Sequence, residues 1–480
     1  MCNENIAIGN ESQSSSSGSY NLSIGNGSLR NNATGQLNVA IGNETLYLNT
    51  QGTKNTAMGY GVLRYNTIGN QNVGLGYAAL IQNVDGNNNT ALGYSAQHGH
   101  KHNDDNIAIG FESMKLDSSG YKNLAIGSST LSMGNNLNDN IAIGYRSMIN
   151  ANDTRENCAI GNETLTQLKT GAGNTALGDR AMAGILTGSD NIAIGRASMF
   201  LATGTSNNIG IGANVFSNKV SGDDNVAIGF SSATADQTGY ENVSIGARSL
   251  GLNLTGYRNT AIGYGSMGNN QAGRSNVAVG YLALYYNNNG DNNVALGRWA
   301  LGNTYGSNNV AIGYYAGEQE TGSNKLYIEN SNSSSPLIGG DFANDKIGIN
   351  RSMTNLQSRS EKFQVEGEAF KTLGSGNWTI PSDRRLKKEI TDLNSEEILV
   401  KILSMQGVSY KWADKEKPQN IQIGFIAQDL QKVFPEKVKE DSTGFLSASY
   451  GDFDPMLVEA IKALAEQNQK LKSRIEKLEQ

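Results

Sequence analysis

Proline, cysteine, histidine and charge are all scarce in this chain, and each scarcity removes a class of protein. Its 480 residues hold 5 Pro beside 58 Gly, and only 17% are charged, which argues against an ordinary globular enzyme. Two cysteines, Cys2 and Cys158, stand too far apart to build a disulfide framework. Cys158 falls in "NCAIGN", where sister segments carry Val or Ile, and so reads as a small core hydrophobe. No apolar run is long enough to cross a bilayer, so membrane insertion is not expected. The net charge of −6 offers nothing to nucleic acid or to an anionic membrane. The opening "MCNENIAIGN" has no basic segment followed by an apolar one, so no secretory signal is expected. So polar a composition suggests disorder, and one feature overturns that reading.

The feature is a repeat. "NIAIG" at Asn5, "NLSIG" at Asn21, "NVAIG" at Asn38 and "NTAMG" at Asn55 open a series of nineteen copies that ends at Asn309. From Asn21 to Asn293 the step is 17 residues each time, with a step of 16 at either end. Sixteen equal intervals mean that each unit stacks on the next, because one slip would disturb the stack.

With the Asn as position 0, positions 1 and 3 are Val, Ile, Leu, Met or Thr in nearly every copy, and position 2 is Ala, Gly or Ser. That alternation predicts a short strand with one bulky and one small face, followed by a glycine bend, a second segment ending in Leu or Met, and a polar turn. Stacking at ~4.8 Å makes a rod roughly 90 Å long. The repeated Asn is expected to form a ladder of amides, and the bulky positions are expected to fill the interior. The small positions suit either the close approach of a sister chain or a pinched coil, and both readings stay open.

The "NxAIG" repeats, about two-thirds of the chain, resemble the head repeats of YadA-like trimeric adhesins. The resemblance implies a left-handed parallel β-roll associated as a homotrimer. The 17-residue step is longer than the unit usual in that family. Such adhesins also carry a secretion signal and a C-terminal membrane barrel, neither of which is expected here.

All three histidines, His98, His100 and His102, lie in one polar turn, "AQHGHKHNDD". Six imidazoles around a three-fold axis would suit a metal ion; the plainer reading is an exposed turn, and no metal or other cofactor is expected. Tyr60, Tyr77, Tyr94, Tyr145, Tyr264, Tyr281 and Tyr314 share position 5. They would either stack on sugars or stack on one another between coils.

After residue 320 the period stops. "KLYIEN", "PLIGGDF", "DKIGIN" and "EKFQV" read as strands of a β-rich neck over 321–381. From Ser382 Lys and Glu rise, Gly falls and helical segments appear. Ser395 reads as the cap of one helix. Leu457, Ile461, Leu464, Asn468, Leu471, Ile475 and Leu478 form a heptad seam to the end of the chain. The expected fold is therefore mainly β: a solenoid of about 19 coils over 1–320, the neck, and a small α+β module over 382–480 ending in a coiled-coil helix.

"SDRRLKKEI", "IGFIAQDLQKVFPE" and "PMLVEAIKAL" together resemble the C-terminal intramolecular chaperone of phage endosialidases and other fibre proteins. The S-D-x-R-L-K pattern falls on Ser382, Asp383, Arg384, Arg385, Leu386 and Lys387. The resemblance implies a module that assists trimerisation and then cuts itself off before the serine, between Pro381 and Ser382. The residues suit that chemistry: Ser382 as nucleophile, and Lys387 as its base, its proton affinity lowered by Arg384, Arg385 and Lys388. Arg385 would support the oxyanion. Positions five apart do not share a helix face, so a turn or a neighbouring chain's lysine is required. "SDRRLKK" alone would read as a capped, solvated helix start.

These readings converge on a homotrimeric attachment fibre of a virion, recognising a host-cell surface receptor, with glycans among the candidates. The only enzymatic act expected is one turnover of serine-type self-cleavage. The alternative is a cell-surface adhesin whose export and anchoring parts lie elsewhere. A depolymerising enzyme is disfavoured, because no paired carboxylates recur and a thin coil offers no deep pocket.

Overall fold

The computed structural model describes residues 4–117, 119–366, 383–413, 419–440, 444–449, 451 and 453–479. The chain divides into two compact units, one up to Ser352 and one from Met353.

In the first unit every copy of the repeat phrase forms a short strand, from Ile6–Ile8 to Val310–Ile312. Each strand pairs in parallel with the equivalent strand of the next coil, residue for residue: Val39 with Thr56, Ala40 with Ala57, Ile41 with Met58. The stack runs one coil past the last copy, where Lys325–Ile328 pairs in parallel with Val310–Ile312. There the direction changes. Ile338–Asp341 runs antiparallel to Lys325–Ile328, and Lys346–Ile349 antiparallel to Ile338–Asp341. The mainly β solenoid expected from the repeat is the fold.

The orientation of the strands is the reverse of the expected one. The small position 2 points inward: Ala40, Ala57, Ala108, Ala142 and Ala227 have no exposed surface. The bulky positions 1 and 3 face outward, and Val73, Leu75, Ile107 and Ile141 are each about two-fifths exposed. Cys158 occupies position 1 and shares that outward column, so it is no core residue. The interior is filled from the second segment instead. Position 8, as in Leu29, Leu46, Leu63, Leu80, Met114, Met148 and Phe216, is buried in coil after coil. Position 8, joined in some coils by a second large residue such as Leu137, Leu168 or Ile185, fills the interior and leaves the facing strand room only for a small side chain at position 2.

The turns that point position 8 inward use the left-handed region. Glu44 (φ 57°) and Leu46 (φ 49°) alternate with residues of ordinary φ, and the same pair of positions repeats along the rod. Gly42 at position 4 combines φ +128° with close approach, since a Cβ there would sit 1.8 Å from the carbonyl oxygen of Gly59.

Two columns of asparagine hold the coils together. At position 0, Asn21 Oδ1 accepts from Asn38 N at 3.0 Å and Asn38 Nδ2 at 3.2 Å, while Asn38 Nδ2 also donates to Gly52 O at 2.8 Å. Each amide thus ties a coil to its predecessor and closes its own far turn. A second ladder, at position 11, runs through Asn32, Asn49, Asn66 and Asn83 and again through Asn253, Asn270 and Asn287. His100, Asp117, Lys219 and Asp236 occupy the same buried column.

In the second unit, helix α1 (Met353–Ser358) is followed by a strand, Phe363–Val365. Helix α2 (Ser395–Leu403) and helix α4 (Phe453–Leu478) pack through Ile398 and Leu399 against Ala460 and Ala463. The cap of α2 is Asn394, whose Oδ1 accepts from Glu396 N and Glu397 N. Ser395, expected in that role, instead donates to Glu459 Oε2 at 2.6 Å and ties α2 to α4. Helix α3 (Ala427–Val433) places Leu430 and Phe434 against Phe453. Two antiparallel strand pairs, Val408–Tyr410 with Gln422–Gly424 and Val438–Glu440 with Leu446–Ala448, complete the unit.

Two outcomes follow from this interior. Ala227→Leu should overpack a full coil and lower stability by about 1–3 kcal/mol, whereas the outward Val226→Thr should change it little; thermal denaturation of the two variants distinguishes them. Burial pushes the Asp117 carboxyl up from 3.8 to about 6, although Gly120 N and Ser119 N donate to it. The folded chain therefore binds more protons than the unfolded one between these values, so stability falls as pH rises through them and stays lower above. Asp117→Asn should raise stability by about 3 kcal/mol at pH near 8 and by nothing below pH about 4, read from thermal midpoints across that range.

Candidate functional site

The segment expected to carry the cleavage chemistry lies in the second unit. Pro381 and Ser382 lie outside the described residues. Asp383 begins a 3-10 turn over Arg384–Leu386, and its Oδ1 accepts from Arg385 N at 2.8 Å. Lys387 closes that turn, its backbone N–H donating to Arg384 O at 3.2 Å. Arg385 is exposed and its guanidinium engages the Asp383 carboxylate, with Nη2 to Oδ2 at 2.7 Å and Nε to Oδ1 at 3.1 Å. Hydrogen bonding from Arg385 holds the Asp383 carboxyl below its ordinary value, and Asp383 in turn raises the Arg385 guanidinium. Sequence reasoning gave Asp383 no role, although an acid two places before an arginine is the signal for such a fork.

The heptad seam lies on helix α4. Ala460 and Ala463 face α2 and are buried, whereas Leu457, Ile461, Leu464, Leu471, Ile475 and Leu478 are exposed, from 41% at Leu457 to 85% at Leu478. Asn468 is exposed with them. The seam is thus a different face of the helix from the one used within the unit. Ile423, on a strand, and Phe445, just before one, are also largely exposed.

On the rod, the three histidines diverge. His100 points into the coil: its Nε2 donates to Met114 O, its Nδ1 accepts from Asn103 Nδ2, and burial pushes its pKa down to about 4. His102 stays outside and meets Asp85 Oδ1 at 2.7 Å. With His100 inside the coil, six imidazoles cannot gather on one axis, and the turn is not simply exposed either. Among the described residues no group of three or more His, Cys, Asp or Glu side chains is placed to hold a metal ion.

Of the seven position-5 tyrosines, Tyr60, Tyr77, Tyr94, Tyr264 and Tyr281 stack on aromatic neighbours, whereas Tyr145 and Tyr314 lie under Arg146 and Arg298. Tyr60, Tyr77, Tyr94 and Phe111 lie ring over ring at 5.1–5.3 Å, and Tyr264 over Tyr281 at 5.4 Å. Within such a stack the ring faces are taken by neighbours, leaving edges to solvent, so the inter-coil reading describes these residues.

Comparison with known proteins bears on the C-terminal module. Residues 382–439 match the Peptidase_S74 family model, the chaperone of endosialidase. The chain is similar to the long tail fiber protein Gp37 of Enterobacteria phage Ox2, 31% identical over 121 residues, which are 23% of this chain and 47% of that protein. It is also similar to Gp37 of Enterobacteria phage K3, 30% identical over 159 residues, or 30% of this chain and 13% of that one. A third similarity is to Myelin regulatory factor homolog 1 of Caenorhabditis elegans, 32% identical over 94 residues, or 18% and 10%. The chain spans at most about half the length of the curated relatives it matches. These similarities support an endosialidase-type chaperone module in a tail-fibre-like protein.

Proposed function

We propose that this chain is the precursor of a homotrimeric virion fibre that attaches to a host-cell surface, and that its C-terminal module drives assembly and is then cut away before Ser382. The observation that carries the reading is the order of its parts: a long solenoid rod, then a module whose match to the chaperone of endosialidase begins at Ser382. The outward strand columns support association. Val, Ile, Leu and Met side chains repeat along the whole rod partly exposed in a single chain, a surface far longer than a solvated protein ordinarily exposes. The seam on α4 is a second such surface. The roll architecture implied by the head-repeat resemblance supplies the number three. The same repeats favour the second reading, a cell-surface adhesin.

In the cleavage reaction Ser382 Oγ adds to the Pro381 carbonyl carbon while Lys387 accepts the hydroxyl proton. The Pro381–Ser382 C–N bond then breaks, leaving an ester on Oγ and a free Ser382 amine. Water hydrolyses the ester to a Pro381 carboxylate. Arg385 would have to leave Asp383 to stabilise the oxyanion, a rearrangement that assembly supplies in this reading.

Expression of the full chain should yield two fragments divided between Pro381 and Ser382, whereas Ser382→Ala and Lys387→Ala should stay whole, as read by intact mass. A wild-type chain that remains whole overturns the cleavage. Light scattering should give a trimer, and Ile141→Lys with Ile194→Lys should reduce it to monomer without loss of β circular dichroism. In a Cys2→Ser background a short bismaleimide should couple Cys158 between chains; strictly monomeric product would remove the outward columns as the interface.

A further inference from the structure

The interior column at position 11 holds asparagine in two runs, Asn32 to Asn83 and Asn253 to Asn287, and in two adjacent coils between them it holds Lys219 and Asp236. Their side chains are 0% and 1% exposed. Lys219 Nζ lies 3.1 Å from Asp236 Oδ2 and 2.9 Å from Gly239 O. Asp236 Oδ1 accepts from Gly239 N at 2.9 Å and from Asn253 Nδ2 at 3.2 Å. The ring of Phe216 stands 5.1 Å from Nζ. Among the described residues, every other charged pair along the repeats is at least partly exposed, as in Arg180 with Glu163 and Arg258 with Glu241.

We infer that Lys219 and Asp236 condense into an intramolecular isopeptide bond that staples two successive coils covalently. Asparagine, where it occupies the column, hydrogen-bonds without charge, whereas an ionised pair at this depth carries a desolvation cost. Burial works in opposite senses on the two groups: it lowers the proton affinity of the Lys219 amine and raises that of the Asp236 carboxyl. A proton passed from Nζ to Oδ2 along their own hydrogen bond leaves a neutral amine facing a carboxylic acid, with no exchange with solvent. The remaining charge that acts on Lys219 is that of Asp223.

The arrangement then supplies the elements of acyl transfer. The nucleophile is held within bonding reach by the stack, an effectively unimolecular geometry. Gly239 N and Asn253 Nδ2 both donate to Oδ1, where negative charge develops as Nζ adds to Cγ. The Cγ–Oδ2 bond breaks, the departing hydroxyl takes a proton from the attacking nitrogen, and one water leaves. The product is a secondary amide that retains one hydrogen on Nζ.

Trypsin reads the bond directly, because no Lys or Arg lies between Ala197 and Arg248 except Lys219. After denaturation and digestion of the purified full chain, the expected product is a single peptide, Ala197–Arg248, uncut at Lys219 and lighter by one water. Asp236→Asn should give the same uncut peptide lighter by one ammonia, and Lys219→Arg should restore cleavage. Recovery from the wild-type chain of Ala197–Lys219 and Val220–Arg248 at their unmodified masses would leave a salt bridge only and overturn the inference. The wild-type digest decides the question even if neither variant folds.

Discussion

The hydrogen bond from one coil's asparagine to the next coil's backbone is the interaction on which the rod depends. At position 0 the side-chain oxygen receives the following coil's N–H, and the amide nitrogen reaches across its own coil to a glycine carbonyl. One residue thereby sets both the rise between coils and the width of each coil. Because both bonds are buried, replacing the amide by anything that cannot donate and accept at once would leave backbone groups unpaired inside the stack. The narrow width then dictates the rest. The interior is filled from the second segment, above all from position 8, so the strand must turn its small residue inward and send its bulky ones out.

That inversion links the fold to the proposed assembly. A coil too thin to bury its own strand residues carries its apolar surface on the outside, and the solenoid is a satisfied structure only along its axis. The second unit behaves in the same way, with the alanines of α4 buried against α2 and the leucines and isoleucines of the same helix uncovered. Two unrelated architectures in one chain thus share an unfilled lateral face.

Much of this was legible in the sequence, and the reasons for the rest are physical. The period, the asparagine ladder and the strands follow from spacing alone. The direction of the strand faces did not, because alternation says which residues share a side and not which side is inside; deciding needed the left-handed turns at Glu44 and Leu46, which bulky non-glycine residues do not announce. The second ladder was signalled by Asn-x-x-Gly in the polar turns, as at Asn49 and Gly52, but low-complexity polar turns read as solvated. His100 was grouped with the other histidines of its turn, when its ring is held inside the coil by Met114 O and Asn103 Nδ2. At the candidate site the Asp383–Arg385 fork was overlooked.

The reversal of strand direction at Ile338 has a consequence for the rod as a polymer. A parallel stack presents an open edge that is chemically identical to every edge beneath it, so nothing in the repeat itself specifies where addition stops. The antiparallel strands Ile338–Asp341 and Lys346–Ile349 lay a different hydrogen-bonding pattern on the last coil, anchored by Lys325 to Asp341 at 3.2 Å. They make that end of the filament incompatible with a second rod, and so convert a sequence that could template its own continuation into an object of defined length.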